Sequence, residues 1–123
     1  MTEIIRMEGL CKYFGEMAAV YEVNLTLKEG LFTSIIGPNG AGKTTLINLL
    51  SGYLLPDRGR IFFGEREITR LGPDKRVKIG ISRSFQVMNI FPRLTVFQNI
   101  LLPVLSRLNK TSSALSSLKS QKE

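Results

Sequence analysis

The sequence predicts an α/β fold in which a small antiparallel β layer precedes a core of strand, glycine turn and helix. Three observations predict it. Short β-like stretches at residues 4–8 and 24–28 alternate with turns at Gly9, Gly15 and Glu29-Gly30. An apolar run rich in β-branched and aromatic residues, 31–36, then has the character of a strand buried on both faces of a parallel sheet. Helical spacing of apolar residues follows over 45–51, with Gly52 placed to stop the helix.

Further elements follow in order. Pro56-Asp57-Arg58-Gly59 reads as a turn, residues 60–63 as a strand and Gly64-Glu65 as another turn. Pro73-Asp74 starts a short helix reaching about Ile79, and Gly80 hands over to a strand-like stretch at 81–85. Thr95 and Gln98 have the spacing of a capping box, so a helix runs from Val96 into Leu102. Beyond Pro103 the composition turns to serine and lysine. We therefore divide the chain into residues 1–105, one folded region, and 106–123, a frayed helix or disordered tail.

Between the apolar run and the helix lies Gly37-Pro38-Asn39-Gly40-Ala41-Gly42-Lys43-Thr44, which satisfies GxxxxGK[ST] at every fixed position. The glycines open backbone angles that other residues avoid and let successive N–H groups approach an anion with no Cβ between. A helix N-terminus adds partial positive charge at the same point. In such a phosphate-binding loop Lys43 reaches the β and γ oxygens, the Thr44 hydroxyl ligates magnesium, and Thr45 offers a second hydroxyl to the α-phosphate. The fold class is thus a P-loop NTPase (RecA-like) core with an N-terminal antiparallel β layer.

Composition narrows the setting. Hydrophobic content of 43% is that of a globular chain. Cys11 is the only cysteine, which excludes an internal disulfide and fits a reducing compartment; it reads as a small buried apolar residue. No histidine is present, excluding histidine metal sites and histidine triads. No signal-like start or bilayer-length apolar run is seen, so a cytoplasmic protein is expected. Lysine and arginine total 17 against 10 acids, for a net charge of +7. The basic residues Arg58, Arg60, Arg66, Arg70, Lys75, Arg76, Lys78 and Arg83 are scattered, which reads as a solvated surface with no nucleic acid expected.

With these motifs the chain resembles, over about residues 4 to 103, the N-terminal part of an ABC-type ATPase, the nucleotide-binding subunit of ATP-driven transporters. Tyr13-Phe14-Gly15 stands where the family places an aromatic residue that stacks on adenine; Phe14 aligns best and Tyr13 competes. Gln86, in Arg83-Ser84-Phe85-Gln86, matches the family's Q-loop, whose amide contacts magnesium or the attacking water. Gly80-Ile81-Ser82-Arg83-Ser84-Phe85-Gln86, then Phe91-Pro92-Arg93-Leu94-Thr95-Val96 and Asn99, look like ATP-binding subunits of branched-chain amino acid importers; urea-importer relatives share much of the pattern.

The resemblance implies ATP and Mg2+ as cofactors. It also implies transmembrane permease subunits docking after Gln86, a second ATP-binding subunit, and indirectly a solute-binding protein. The implied location is the inner face of the plasma membrane. The fold is then incomplete at the C-terminus: no apolar run ends in Asp-Glu, no signature motif occurs, since Leu50-Ser51-Gly52-Tyr53 only ends a helix, and no switch histidine exists. Phosphoryl transfer is mostly positioning and charge stabilisation, so the chain alone is expected to bind ATP without competent hydrolysis. Alternative readings are a soluble relative acting on nucleic acid or the ribosome, and a P-loop phosphotransferase for a small molecule.

Overall fold

A computed structural model describes residues 2–85, 87 and 90–108. They fall into two compact units, one up to Arg83 and one from Ser84 onward. In the first, β1 (Glu3–Phe14) and β2 (Met17–Lys28) make a long antiparallel hairpin, with Phe14 paired to Met17 across a turn opened by Gly15 at φ 61°. β3 (Arg58–Phe63) joins the other side of β1, and the two-residue β4 (Arg66–Glu67) completes the order β2-β1-β3-β4.

Both hairpin strands are longer than residues 4–8 and 24–28. The expected turn at Gly9 is instead an irregularity inside a continuous β1, where Gly9 takes φ 54° and the register shifts between Met7 and Leu10. Asn24 Oδ1 fills the gap by accepting from Gly9 N at 2.9 Å. The predicted turn at residues 56–59 is likewise taken over in part by β3, which begins at Arg58.

One sheet face carries Met7, Leu10, Val20 and Ile61, which form the core with Leu49 and Ile68. Leu49 belongs to α1 (Lys43–Ser51), whose Leu46 and Leu50 pack beside it, so burial of this helix stripe fixes the helix on the sheet. Gly52 ends α1 at φ 83°, its N–H donating to Leu49 O at 3.3 Å, as the sequence predicts. α2 (Pro73–Lys78) starts with proline in its first turn, also as predicted.

Two predicted strands do not form. Residues 31–38 and 81–85 carry no strand pairing, and Phe32 and Ile36 are almost fully exposed. A strand is defined by hydrogen-bonding neighbours, and the four-stranded sheet does not extend to either segment. β-propensity by itself cannot supply the missing ladder.

In the second unit α3 (Val96–Arg107) opens with the predicted capping box: Gln98 N donates to Thr95 Oγ1 at 3.2 Å, and Gln98 Oε1 accepts from Thr95 N at 2.9 Å. Asn99 secures the preceding turn, accepting from Phe91 N at 2.8 Å and donating to Leu94 O at 3.1 Å. The helix continues beyond Leu102 through Pro103, because a proline removes one intrahelical bond and adds a local clash without forbidding the turns around it.

Candidate functional site

The loop predicted to hold phosphate runs from the end of the unpaired segment into the first turn of α1. Gly40 and Gly42 adopt φ 82° and 87°, and Gly42 is the helix N-cap with no side-chain cap. Gly42 is confined by space as well as by angle: a Cβ there would lie 2.1 Å from Ala19 O on β2. The loop is thus seated against the hairpin at a point only glycine can occupy.

The backbone donors are largely uncommitted. Ala41 N donates to Pro38 O at 3.2 Å and Leu46 N to Gly42 O at 2.9 Å. Among the described residues, the N–H groups of Gly40, Gly42, Lys43, Thr44 and Thr45 meet no acceptor. The first turn of a helix always leaves such donors, and here no acidic side chain stands in that turn to occupy them. Lys43 folds back over the loop, its Nζ donating to Gly37 O and, at 2.6 Å, to Pro38 O. Two ammonium donors are spent on neutral carbonyls, which an anion would outcompete through charge.

Beside the loop is a cavity of about 370 Å³ lined by Thr33, Ile35, Lys43, Thr44, Ile47 and Arg83. Its lining has two cations, two hydroxyls and no acid, a balance that suits an anionic group. Thr44 is exposed and Thr45 half-buried. Among the described residues no group of three or more carboxylates, cysteines or histidines gathers to hold a metal ion. The Thr44 hydroxyl is an oxygen donor of the kind that would accompany phosphate oxygens and water around magnesium.

Phe14, at the end of β1, has its ring about half exposed with Lys12 Nζ 5.9 Å from the centroid, while Tyr13 is half-buried. Asp57 secures this corner. Its carboxylate accepts from Tyr13 N at 2.7 Å and Lys12 Nζ at 3.1 Å, and its own N–H donates to Cys11 O. The Tyr13 amide and the Lys12 ammonium together hold the Asp57 carboxyl below the usual carboxylate range. Gln86, predicted to meet magnesium or water, lies outside the described residues.

Two arginines prove different from the solvated surface expected of them. Arg76 is wholly buried. Its Nε donates to Leu71 O, Nη1 to Leu49 O and Leu50 O, and Nη2 to Ile68 O and Thr69 O, at 2.6 to 3.2 Å. Burial pulls this guanidinium below its ordinary pKa, and the carboxyl end of the α1 dipole is what it faces. Arg83 reaches Asn48 and Ser51 on α1 and lines the cavity. No local pattern in the sequence distinguishes these two from the exposed arginines around them.

An antiparallel sheet covered by a helix that springs from a glycine loop with unpaired amides is the arrangement expected of an ATP-binding cassette of the P-loop class. The chain belongs to the ABC transporter family, whose pattern matches residues 20–123. It is 41% identical over 116 residues to the probable branched-chain amino acid transport ATP-binding protein LivG of Methanocaldococcus jannaschii, covering 94% of this chain and 44% of that protein. It is 40% identical to the sulfate/thiosulfate import ATP-binding protein CysA 2 of Chromobacterium violaceum, covering 93% of this chain and 30% of the relative. The chain thus spans less than half the length of these relatives.

Among solved structures, MJ1267, an ATP-binding cassette of an ABC transporter, superposes with a TM-score of 0.77 at 40% identity, covering 86% of this chain and 42% of the other. Its ADP conformation gives 0.70 at 30% identity, covering 91% and 56%. The structural likeness supports the predicted fold class, even though two predicted strands do not form among the described residues.

Proposed function

We propose that this chain binds Mg-ATP as part of the ATP-binding subunit of an ABC importer, with branched-chain amino acids as the transported solute. The observation that carries the nucleotide reading is the set of unpaired N–H groups at Gly40, Gly42, Lys43, Thr44 and Thr45 beside Lys43. In this reading Gly37, Pro38, Asn39, Gly40, Ala41 and Gly42 shape the cradle, Lys43 exchanges its two carbonyl acceptors for β and γ oxygens, and the Thr44 hydroxyl ligates magnesium. Thr45 faces the α-phosphate, Phe14 stacks on adenine, and Gln86 contacts magnesium or water. Bound beside Thr44, magnesium would supply neutralisation of phosphate charge.

The solute assignment rests on likeness to LivG proteins, and CysA 2 among the relatives shows how much of this region importers of other solutes share. Permease subunits, a second ATP-binding subunit and, indirectly, a solute-binding protein are the proposed partners, at the inner face of the plasma membrane. No helix among the described residues is long and apolar enough to cross a membrane. A nucleic-acid reading draws little support from the sheet, where Glu8 lies 3.2 Å from Arg6 and 3.6 Å from Arg60 and compensates their charge.

Calorimetric titration with Mg-ATP tests the proposal. Lys43→Ala should weaken binding at least about tenfold, since it removes a charge-assisted contact of about 1.5–3 kcal/mol. Equal affinity of a folded variant and the unaltered chain would overturn it.

A further inference from the structure

Among the described residues β3 pairs with β1 only as far as Cys11, which meets Arg58, so Lys12, Tyr13 and Phe14 overhang the sheet on that side. On the other side the pairing with β2 is irregular, with register shifts between Leu10 and Lys12 and again between Lys12 and Tyr13. An overhanging strand end turns its outward amides away from any ladder. Asp57, the residue before β3, supplies the missing acceptor: its carboxylate takes Tyr13 N at 2.7 Å, while its own N–H donates to Cys11 O at 2.9 Å.

The same carboxylate accepts from Lys12 Nζ at 3.1 Å, and that ammonium lies 5.9 Å from the centroid of the Phe14 ring. One side chain therefore holds the ring's neighbourhood twice, through the backbone amide beside Phe14 and through the cation over its ring. Both partners of the carboxylate belong to β1, and neither belongs to the phosphate-type loop. The Asp57 side chain is 42% exposed and stands apart from the core of Met7, Leu10, Val20, Leu49, Ile61 and Ile68. Its contacts serve the strand end.

We propose that Asp57 is a positioning residue for base recognition: it fixes the end of β1 so that Phe14 presents its ring to adenine, which favours a nucleoside polyphosphate over a polyphosphate without a base. This role rests on the reading of Phe14 as the adenine stack. Asp57 acts through Tyr13 and Lys12 and touches no part of the nucleotide. The physical reason is preorganisation. Contact attraction between a base and a ring fades within an ångström or so of misplacement, and a ring on a loose strand end must be ordered when the base arrives. Ordering on binding subtracts from affinity, whereas a ring already fixed by Asp57 does not incur that loss.

Calorimetric titration of the full chain with Mg-ATP and, separately, with magnesium tripolyphosphate distinguishes positioning from general damage. Phe14→Ala should weaken Mg-ATP binding at least about fivefold, the scale of a lost base stack. Asp57→Ala should weaken Mg-ATP binding at least about threefold while holding tripolyphosphate within about twofold of the unaltered chain. Asp57→Asn keeps a neutral acceptor for Tyr13 N and should recover part of the loss. Because both residues act on one contact, adding Asp57→Ala to Phe14→Ala should weaken Mg-ATP binding by less than about twofold more. Unchanged Mg-ATP affinity in Asp57→Ala overturns the inference, as do equal losses for both ligands or a fully additive loss in the double variant. Asp57→Ser, whose hydroxyl stops a bond short of the carboxylate oxygens, carries the same comparison if the alanine variant does not fold. Undiminished Mg-ATP affinity in Phe14→Ala overturns the adenine stack and this role together and leaves the phosphate loop standing. An unaltered chain that binds neither ligand overturns the Mg-ATP reading as well.

Discussion

Replacing Arg76 by methionine keeps an unbranched apolar stem, shorter than that of arginine, and removes every donor it carries. Five carbonyls lose a partner, but not equally. Leu49 O still accepts from Gly52 N, and Ile68 O from Leu71 N. Leu50 O, Thr69 O and Leu71 O have no other acceptor role among the described residues, so the substitution orphans three buried or half-buried acceptors. At roughly 1–3 kcal/mol for each such group, softened by partial rehydration near Gly52 and α2, Arg76→Met should cost about 3–5 kcal/mol. That is a large fraction of the stability of a small domain.

Urea unfolding followed by circular dichroism reads the effect as a lower midpoint at unchanged slope. Arg76→Lys, which keeps one charge but not the fork, should fall between. The difference between Arg76→Met and the unaltered chain should be flat from about pH 5 to 9, because a guanidinium stays protonated throughout that range even when burial lowers its pKa. A loss below about 1 kcal/mol would refute the claim that this arginine holds α1, α2 and the segment between β4 and α2 together.

Other substitutions separate local from tertiary causes. Gly42→Ala should destabilise by more than about 2 kcal/mol, since it adds overlap with Ala19 O to the cost of a left-handed backbone, whereas Gly40→Ala meets open space and should cost only the roughly 1–2 kcal/mol of that backbone. Comparative urea midpoints check this pair. Asp57 has a depressed folded-state pKa, so its contribution is present above the unfolded carboxylate pKa and disappears as pH falls through the folded value. Asp57→Asn should therefore flatten the acid limb of the stability profile below about pH 4. Thr95→Ala removes the Gln98 N acceptor and should cost about 1 kcal/mol, read as faster hydrogen exchange in the first turns of α3.

Much of the site was legible because its chemistry is local. The left-handed angles of Gly40 and Gly42, a helix start, the Thr95–Gln98 box and the Gly52 stop each depend on residues a few positions apart and formed where the sequence placed them, whereas Gly37 does not take a left-handed angle. The need for glycine at 42 was legible from the motif, while its steric cause, the Ala19 carbonyl, came only from folding. Residues 31–36 and 81–85 have the composition of strands and join no strand ladder, since pairing is a property of two segments and not of one. Arg76 shows the converse. Nothing around it predicts burial, and beside it Val77 is exposed, because the carbonyls that draw the guanidinium inward come from α1 and from residues 68–71 and meet only in three dimensions. The sequence by itself determined the phosphate-type loop and the helix ends, whose forces act within a turn or two. Tertiary structure decided which strands pair and which charges are buried, because hydrogen-bond partners and desolvation are set by neighbours distant along the chain.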